Sequence, residues 1–295
     1  MTKRIETRLL ILGAGPAGIS AALYARRGGA AVTVVTKGSS VLGKAEKIEN
    51  YYGFAEPVSG AELLKNGIVN AKRLGVRVKE TELLSIRLND TMTGFTAETK
   101  NGIIETKAVI LAAGALRTMP SIDGIKAFDG HGVSWCAICD AFFYRSKIVA
   151  VLGAGDYALH EAAVLAPHAA KVFLLTDGEP APQNVPAEYE IYTQKVRAVI
   201  GEERVAGVQL ADGTEIKTDG VFVALGTAGS TSIARTMGLM LDGNNIKVDA
   251  HMATNMPGVF AAGDCTGGLL QISKAVYQGA EAGLAAVNYL REKKP

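Results

Sequence analysis

Cysteine is scarce in this 295-residue chain: there are three, too few and of the wrong parity for a secreted disulfide framework. Proline is held to nine residues and the glycines form no repeat, which leaves out fibrous and low-complexity architectures. A dominant charge sign is missing as well. The 31 basic residues stand against 29 acidic ones, the net charge is +2, and no long like-charge run occurs, so nucleic acid is not an expected partner. No apolar run reaches the roughly 20 residues needed to span a bilayer, because Gly, Lys or Asp cuts each one, and no membrane partner is expected. The opening, Met1–Gly18, sets charges before an apolar run in the manner of a signal peptide. Glu6 and the glycine pattern that follows at once mark it instead as a first core strand, and the chain reads as cytoplasmic.

Apolar residues are plentiful at 48%, enough for a sizeable core, and so are glycines, 34 of them, gathered where strand patterns meet helix patterns. Arg8–Leu12 reads as a strand, Ile19–Arg27 as a helix and Ala31–Val35 as a second strand. The same order returns as Lys147–Leu152, Leu159–Leu165 and Lys171–Leu175. Val109–Ala113 and Gly220–Leu225 read as further strands, and Pro257–Leu290 as a strand, a Gly-Asp turn and a long helix. The expected class is α/β, with two Rossmann-like nucleotide-binding domains, the second inserted into the first. The discontinuous domain covers 1–117 and 228–295 and the insert covers 118–227. Crossings between them are expected near Thr118–Pro120 and Leu225–Ser230.

Gly13-Ala14-Gly15-Pro16-Ala17-Gly18 lies between a strand and a helix. The first glycine permits the turn, the second lets backbone approach a pyrophosphate, and the third lets helix pack on strand. Exposed N–H groups and the helix dipole then hold the phosphates. The acidic residue expected to end the second strand and bind a ribose is absent; Thr36-Lys37 stands there, so a hydroxyl or backbone group has to substitute. A second pattern, Gly153-Ala154-Gly155-Asp156-Tyr157-Ala158, has Ala in the third place. Its second strand ends in Thr176-Asp177-Gly178 with no Arg or Lys directly after, and Asp177 would repel a 2′-phosphate and accept from a ribose diol. Gly153, Gly155 and Asp177 therefore make an NADH site on one reading, and a retained fold without a working nicotinamide site on the other.

The sharpest local feature is Cys136-Ala137-Ile138-Cys139-Asp140. Two cysteines three apart can close a small disulfide and exchange it with a partner. Asp140 is placed to move a proton for that chemistry if desolvation raises its pKa. A zinc site would need four ligands and a second cysteine pair is lacking, so no metal is expected; a purely structural pair is the other alternative. Cys265, after Gly263-Asp264, reads as a small buried residue. His131, His160, Trp135 and the Lys44–Lys47 stretch, read as a solvated helix turn, take structural or surface roles.

Together, the first glycine pattern, the Gly132–Asp140 stretch and Gly258–Gly267 resemble the low-molecular-weight thioredoxin reductases along essentially the whole chain. That resemblance implies FAD, held by Gly13, Gly15, Pro16 and Ala17 at its pyrophosphate and approached by Asn50, Gly114, Gly263, Asp264, Gln271, Ile272 and Ser273. It also implies catalysis by Cys136, Cys139 and Asp140, a thioredoxin-like protein as acceptor, and a homodimer. Relatives that use NADPH carry a His-Arg-Arg type sequence where this chain has Thr176-Asp177-Gly178. The segment Ser39–Phe54 is most similar to the ferredoxin-dependent flavin thioredoxin reductases. The expected donor is ferredoxin or NADH and not NADPH. The rival readings are a disulfide reductase with a different carrier or a low-molecular-weight disulfide as acceptor, and a flavin-bearing redox sensor.

Overall fold

The computed structural model describes residues 4–38, 40–114, 120–135, 137–183, 185–225 and 230–293, with backbone alone for Val41, Ile138, Cys139 and Thr231. The chain divides into two compact units, Met1–Leu116 with Gly229–Pro295, and Arg117–Ala228.

The first stretch forms β1 (Arg4–Glu6), β2 (Leu9–Leu12), α1 (Pro16–Arg27), β3 (Val32–Thr36), α2 (Gly60–Arg73), β4 (Arg77–Glu80), β5 (Leu83–Leu88), β6 (Phe95–Thr99), β7 (Gly102–Thr106) and β8 (Ala108–Leu111). Helix α1 starts three residues before the apolar spacing suggested, because Pro16 sits at its first position, where a fixed φ suits a helix and no N–H is lost. It stops at Gly28, and Gly29 turns away with φ +92°. The expected helix turn at Lys44–Lys47 is absent: a 3₁₀ turn covers Val41–Lys44 and Ala45 leaves it in extended backbone.

The middle stretch forms β9 (Val133–Ser134), α3 (Ala137–Asp140), β10 (Ile148–Leu152), α4 (Asp156–Leu165), β11 (Lys171–Leu175), β12 (Glu190–Tyr192), β13 (Val196–Gly201), β14 (Val205–Leu210), β15 (Glu215–Lys217) and β16 (Gly220–Val223). The last forms α5 (Ser230–Thr236), β17 (Leu241–Asp242), β18 (Asn245–Ile246), β19 (Val259–Ala261) and α6 (Ile272–Glu292). Of the two expected crossings, Thr118, Met119 and residues 226–229 lie outside the described residues. Ser230 begins α5, and its buried hydroxyl accepts the Ala113 N–H at 3.0 Å.

Each unit is built on a five-stranded parallel sheet. The first has the order β19-β8-β2-β3-β4 and the second β9-β16-β10-β11-β12, each read here from the edge beyond the strand that follows the antiparallel strands. The glycine-bearing strands β2 and β10 thus hold the same central place. Each unit adds an antiparallel layer, β5-β6-β7 with β1 in the first and β13-β14-β15 in the second. Strands buried on both faces carry near-continuous apolar runs, as Leu-Leu-Ile-Leu in β2 and Ile-Val-Ala-Val-Leu in β10 do. Alternate residues of β10 serve different cores: Ala150 and Leu152 pack with the β13–β15 side, Val149 and Val151 with α4.

Helix α6 covers the first sheet by crossing α1 at very close range. A Cβ on Gly279 would stand 2.1 Å from the Ala17 carbonyl oxygen, and one on Gly283 would stand 2.6 Å from that of Ala21. The Ser20 hydroxyl donates to the Val276 carbonyl at 2.7 Å across the same crossing.

Candidate active site

In the first unit, the turn after β2 is shaped by glycine. Gly13 takes φ +108°, and a Cβ there would lie 2.3 Å from the Ala112 carbonyl oxygen. Gly15 caps α1 without any side-chain hydrogen bond, a Cβ on it would meet nothing within 4 Å, and no acidic residue occupies the helix's first turn. The leading amides of α1 are therefore uncapped behind an open space, with the positive end of the helix dipole behind them. This is the cradle a diphosphate needs, so Gly13, Gly15, Pro16 and Ala17 fit the pyrophosphate of FAD.

Other expected flavin residues lie in the same unit. Gly114 takes φ +80° with open space at its Cβ position. Gly263, at φ +85°, would press a Cβ to 2.9 Å from that of Ala17, so the Gly263-Asp264 turn lies directly beside α1. Asp264 opens a 3₁₀ turn, Asp264–Thr266. Gln271 is the N-cap of α6, with Ile272 and Ser273 in its first turn, and the Asn50 amide donates to Gln271 Oε1 at 3.1 Å. That bond joins two residues 221 apart in sequence.

Two side chains that sequence reasoning passed over support this region. Lys274 donates from Nζ to the carbonyls of Gly263 (2.9 Å) and Gly267 (2.5 Å), bracing both ends of the turn, and burial lowers its pKa. Glu82 is buried and pairs through Oε2 with Lys37 Nζ at 3.2 Å. A carboxylate thus does reach the Thr36-Lys37 edge, from the segment after β4 and not from the end of β3. The Thr36 hydroxyl, the expected substitute, accepts the Gly38 N–H at 3.2 Å. Cys265 is buried, its thiol lies 3.3 Å from the Ala262 carbonyl, and burial pushes its pKa up to about 11, so it is packed and unreactive.

The second unit repeats the turn with different chemistry. Gly153 takes φ +156°, with a Cβ position 2.3 Å from the Ala224 carbonyl oxygen, and Gly155 caps α4 without a side-chain bond. Here the first helical residue is Asp156, an anion where α1 carries none. At the end of β11, Asp177 takes φ +55° and its Oδ1 accepts the Val196 N–H at 2.9 Å, so one oxygen of the expected ribose acceptor already braces the turn. Lys195 packs its stem against Gly178, which brings a base beside this turn that local sequence did not reveal.

Cys136 lies outside the described residues, as does the side chain of Cys139; the backbone of Cys139 falls in the short helix α3. Asp140, at the end of α3, is half-buried and its Oδ2 accepts from the Ser134 hydroxyl at 2.7 Å. Trp135 donates from Nε1 to Asp129 Oδ1 at 2.9 Å. At the other end of α3 lies a group that sequence reasoning missed. Glu161 on α4 is 6% exposed, and its Oε2 accepts the Ala137 N–H at 2.7 Å. Burial raises its pKa from 4.5 to about 7, with the Ala137 bond opposing. A signal was present: Glu161 falls on the Ala158, Ala162, Leu165 stripe that buries α4.

Two nucleotide-type sheets, the first with an open phosphate cradle and the second carrying a Cys-X-X-Cys segment, define a flavin-and-disulfide class of oxidoreductase. The family model described as pyridine nucleotide-disulphide oxidoreductase matches residues 7–279. The chain belongs to that family and, within it, to the thioredoxin reductases. It is 34% identical to the thioredoxin reductase of Aquifex aeolicus over 97% of this chain and 94% of that one. Among solved structures it is similar to the atypical thioredoxin reductase of Desulfovibrio vulgaris Hildenborough, with 36% identity, TM-score 0.92 and coverage of 98% and 99%. A ferredoxin-flavin thioredoxin reductase from Clostridium acetobutylicum gives 33% identity, TM-score 0.76 and coverage of 99% and 100%.

Proposed function

We propose that the chain is an FAD-dependent disulfide reductase in which electrons pass through the Cys136–Cys139 pair to a thioredoxin-like protein. The observation that carries this reading is the uncapped, acid-free amino terminus of α1 behind the Gly13–Gly18 turn, in a chain that matches thioredoxin reductases along its length. FAD, when bound, supplies the two electrons that open the disulfide. Gly13, Gly15, Pro16 and Ala17 hold its diphosphate, while Asn50, Gly114, Gly263, Asp264, Gln271, Ile272 and Ser273 orient the remainder. Cys139 accepts the electrons, Cys136 attacks the partner's disulfide, and Asp140, steadied by Ser134, moves a proton. Phe142 and Phe143, 62% and 69% exposed just past Asp140, offer an apolar platform, which favours a protein acceptor over a small disulfide.

For the donor, Asp156 in the first turn of α4 and Asp177 at the end of β11 argue against the additional phosphate of NADPH. The reading is ferredoxin or NADH, with the enzyme working as a homodimer. Anaerobic titration of the FAD-loaded protein with reduced ferredoxin, NADH and NADPH, followed by flavin bleaching, tests it. Bleaching by ferredoxin or NADH at low excess is expected. Bleaching by NADPH alone would overturn the donor assignment and give Lys195 a 2′-phosphate to bind. Replacing Cys139→Ser is expected to abolish disulfide reduction while FAD stays bound.

A further inference from the structure

Glu161 is an unusual group to bury. Among the described residues no cation pairs with it, and its carboxylate is held by a single backbone donor, the Ala137 N–H. That amide belongs to the peptide unit joining Cys136 to Ala137, and Ala137 opens the helix that contains Cys139. An anion fixed there opposes a thiolate on the same short segment; a neutral acid does not. The hydrogen bond survives either state, because a protonated carboxyl still has an oxygen free to accept. Charge at this point can therefore change without any movement of the backbone.

We propose that Glu161 is a positioning residue for the Cys136–Cys139 pair, fixing the amide after Cys136 and holding the proton that would otherwise quench the reactive thiolate. This rests on the reading that these two cysteines are the redox pair. On reduction the S–S bond breaks and the two electrons from the reduced flavin go to the sulfurs. One sulfur takes a proton by way of Asp140, the other stays a thiolate, and Glu161 takes up a second proton from solvent. When the thiolate forms its bond to the partner's disulfide and expels the partner's thiolate, Glu161 returns its proton to solvent. The stated charge balance needs a carboxyl that exchanges its proton near neutral pH, and burial places Glu161 there.

Other ionisable groups lie on the elements packed against α4. They are Asp140 on α3, Tyr144 in the 3₁₀ turn after it and Lys171 at the outer start of β11; β10 contributes none. On α4 itself are Asp156, Tyr157 and His160. All are shared by the wild type and a Glu161→Gln variant, so the ratio of the two cancels them. Glutamine keeps an oxygen for the Ala137 N–H and imitates the neutral acid.

The test uses the full chain, reduced anaerobically with dithiothreitol, freed of it, and alkylated with iodoacetamide across a pH series, with modified cysteines counted by mass spectrometry. Below about pH 6 the two proteins should react at the same rate. Above about pH 7.5 Glu161→Gln should react roughly threefold to tenfold faster, because only the wild type then carries the opposing anion. A rate ratio that is constant across the series, even one above unity, overturns the proposal while leaving the redox pair intact. If reduction creates no new pair of reactive thiols, both the proposal and the reading beneath it fall. Should Glu161→Gln fold poorly, Glu161→Met, which also lacks the ionisable carboxyl, takes its place in the same rate ratio: a ratio that rises from acid to alkaline pH supports the proposal and a constant one overturns it.

Discussion

Gly18 lies so close to Gly13 that a Cβ on the former would stand 1.9 Å from the carbonyl oxygen of the latter. The contact fixes how steeply α1 leaves β2, and so where its free amides point. Glycine at 18 serves the fold, while glycine at 15 serves the space in front of the helix, where a Cβ would meet nothing within 4 Å.

Replacing Gly18→Ala should therefore cost about 1–3 kcal/mol of stability and release flavin with it. Replacing Gly15→Ala should leave the unfolding midpoint nearly unchanged and weaken FAD binding, because its methyl group projects into the cradle. Thermal unfolding of the flavin-free proteins and titration with FAD separate the two. Unimpaired FAD binding by Gly15→Ala would contradict the cradle assignment.

Glu161 makes stability depend on pH. Its pKa rises from 4.5 to about 7 on folding, so between those values the native state holds more protons than the unfolded chain. Stability from this group is thus greatest below about pH 4.5 and falls as pH rises through 7, by roughly 3 kcal/mol in all. Urea unfolding of the wild type and Glu161→Gln should converge at acid pH and diverge above neutrality, with the variant the more stable. Parallel pH profiles would contradict this.

Cys265 should take no part in the chemistry. At 1% exposure, with its thiol pushed up to about 11, it should resist alkylation at about pH 8 in the native oxidised protein and react only on unfolding. Cys265→Ala should keep its disulfide reductase activity. Loss of that activity in a variant that folds and binds FAD would contradict the assignment.

The α1–α6 crossing depends on small residues. Gly279→Ala places a methyl group 2.1 Å from the Ala17 carbonyl oxygen, which a favourable helix propensity of about 1 kcal/mol does not offset. A net loss of about 1–3 kcal/mol is expected in urea unfolding followed by circular dichroism. An unchanged midpoint would show that the helices part without cost.

Much of this was legible locally. Both strand–glycine–helix turns stand where period and glycine spacing put them, because a tight turn and an uncapped helix start are short-range properties of Gly13–Gly18 and Gly153–Ala158. What stayed hidden depends on distant chain segments. Glu82 reaches the Lys37 edge from the segment after β4, Lys195 reaches Gly178 from the segment after β12, and Asn50 meets Gln271 over 221 residues. Glu161 was hidden for another reason: its significance lies in burial without a cation, which a helical spacing suggests but does not measure.

The most direct test of the central claim compares how much reductant two FAD-loaded proteins consume. Under anaerobic titration to full reduction, the wild type should take up twice the electron equivalents of Cys139→Ser, half going to the flavin and half to the Cys136–Cys139 disulfide. Equal uptake by the two proteins would mean that no disulfide exchanges electrons with the flavin.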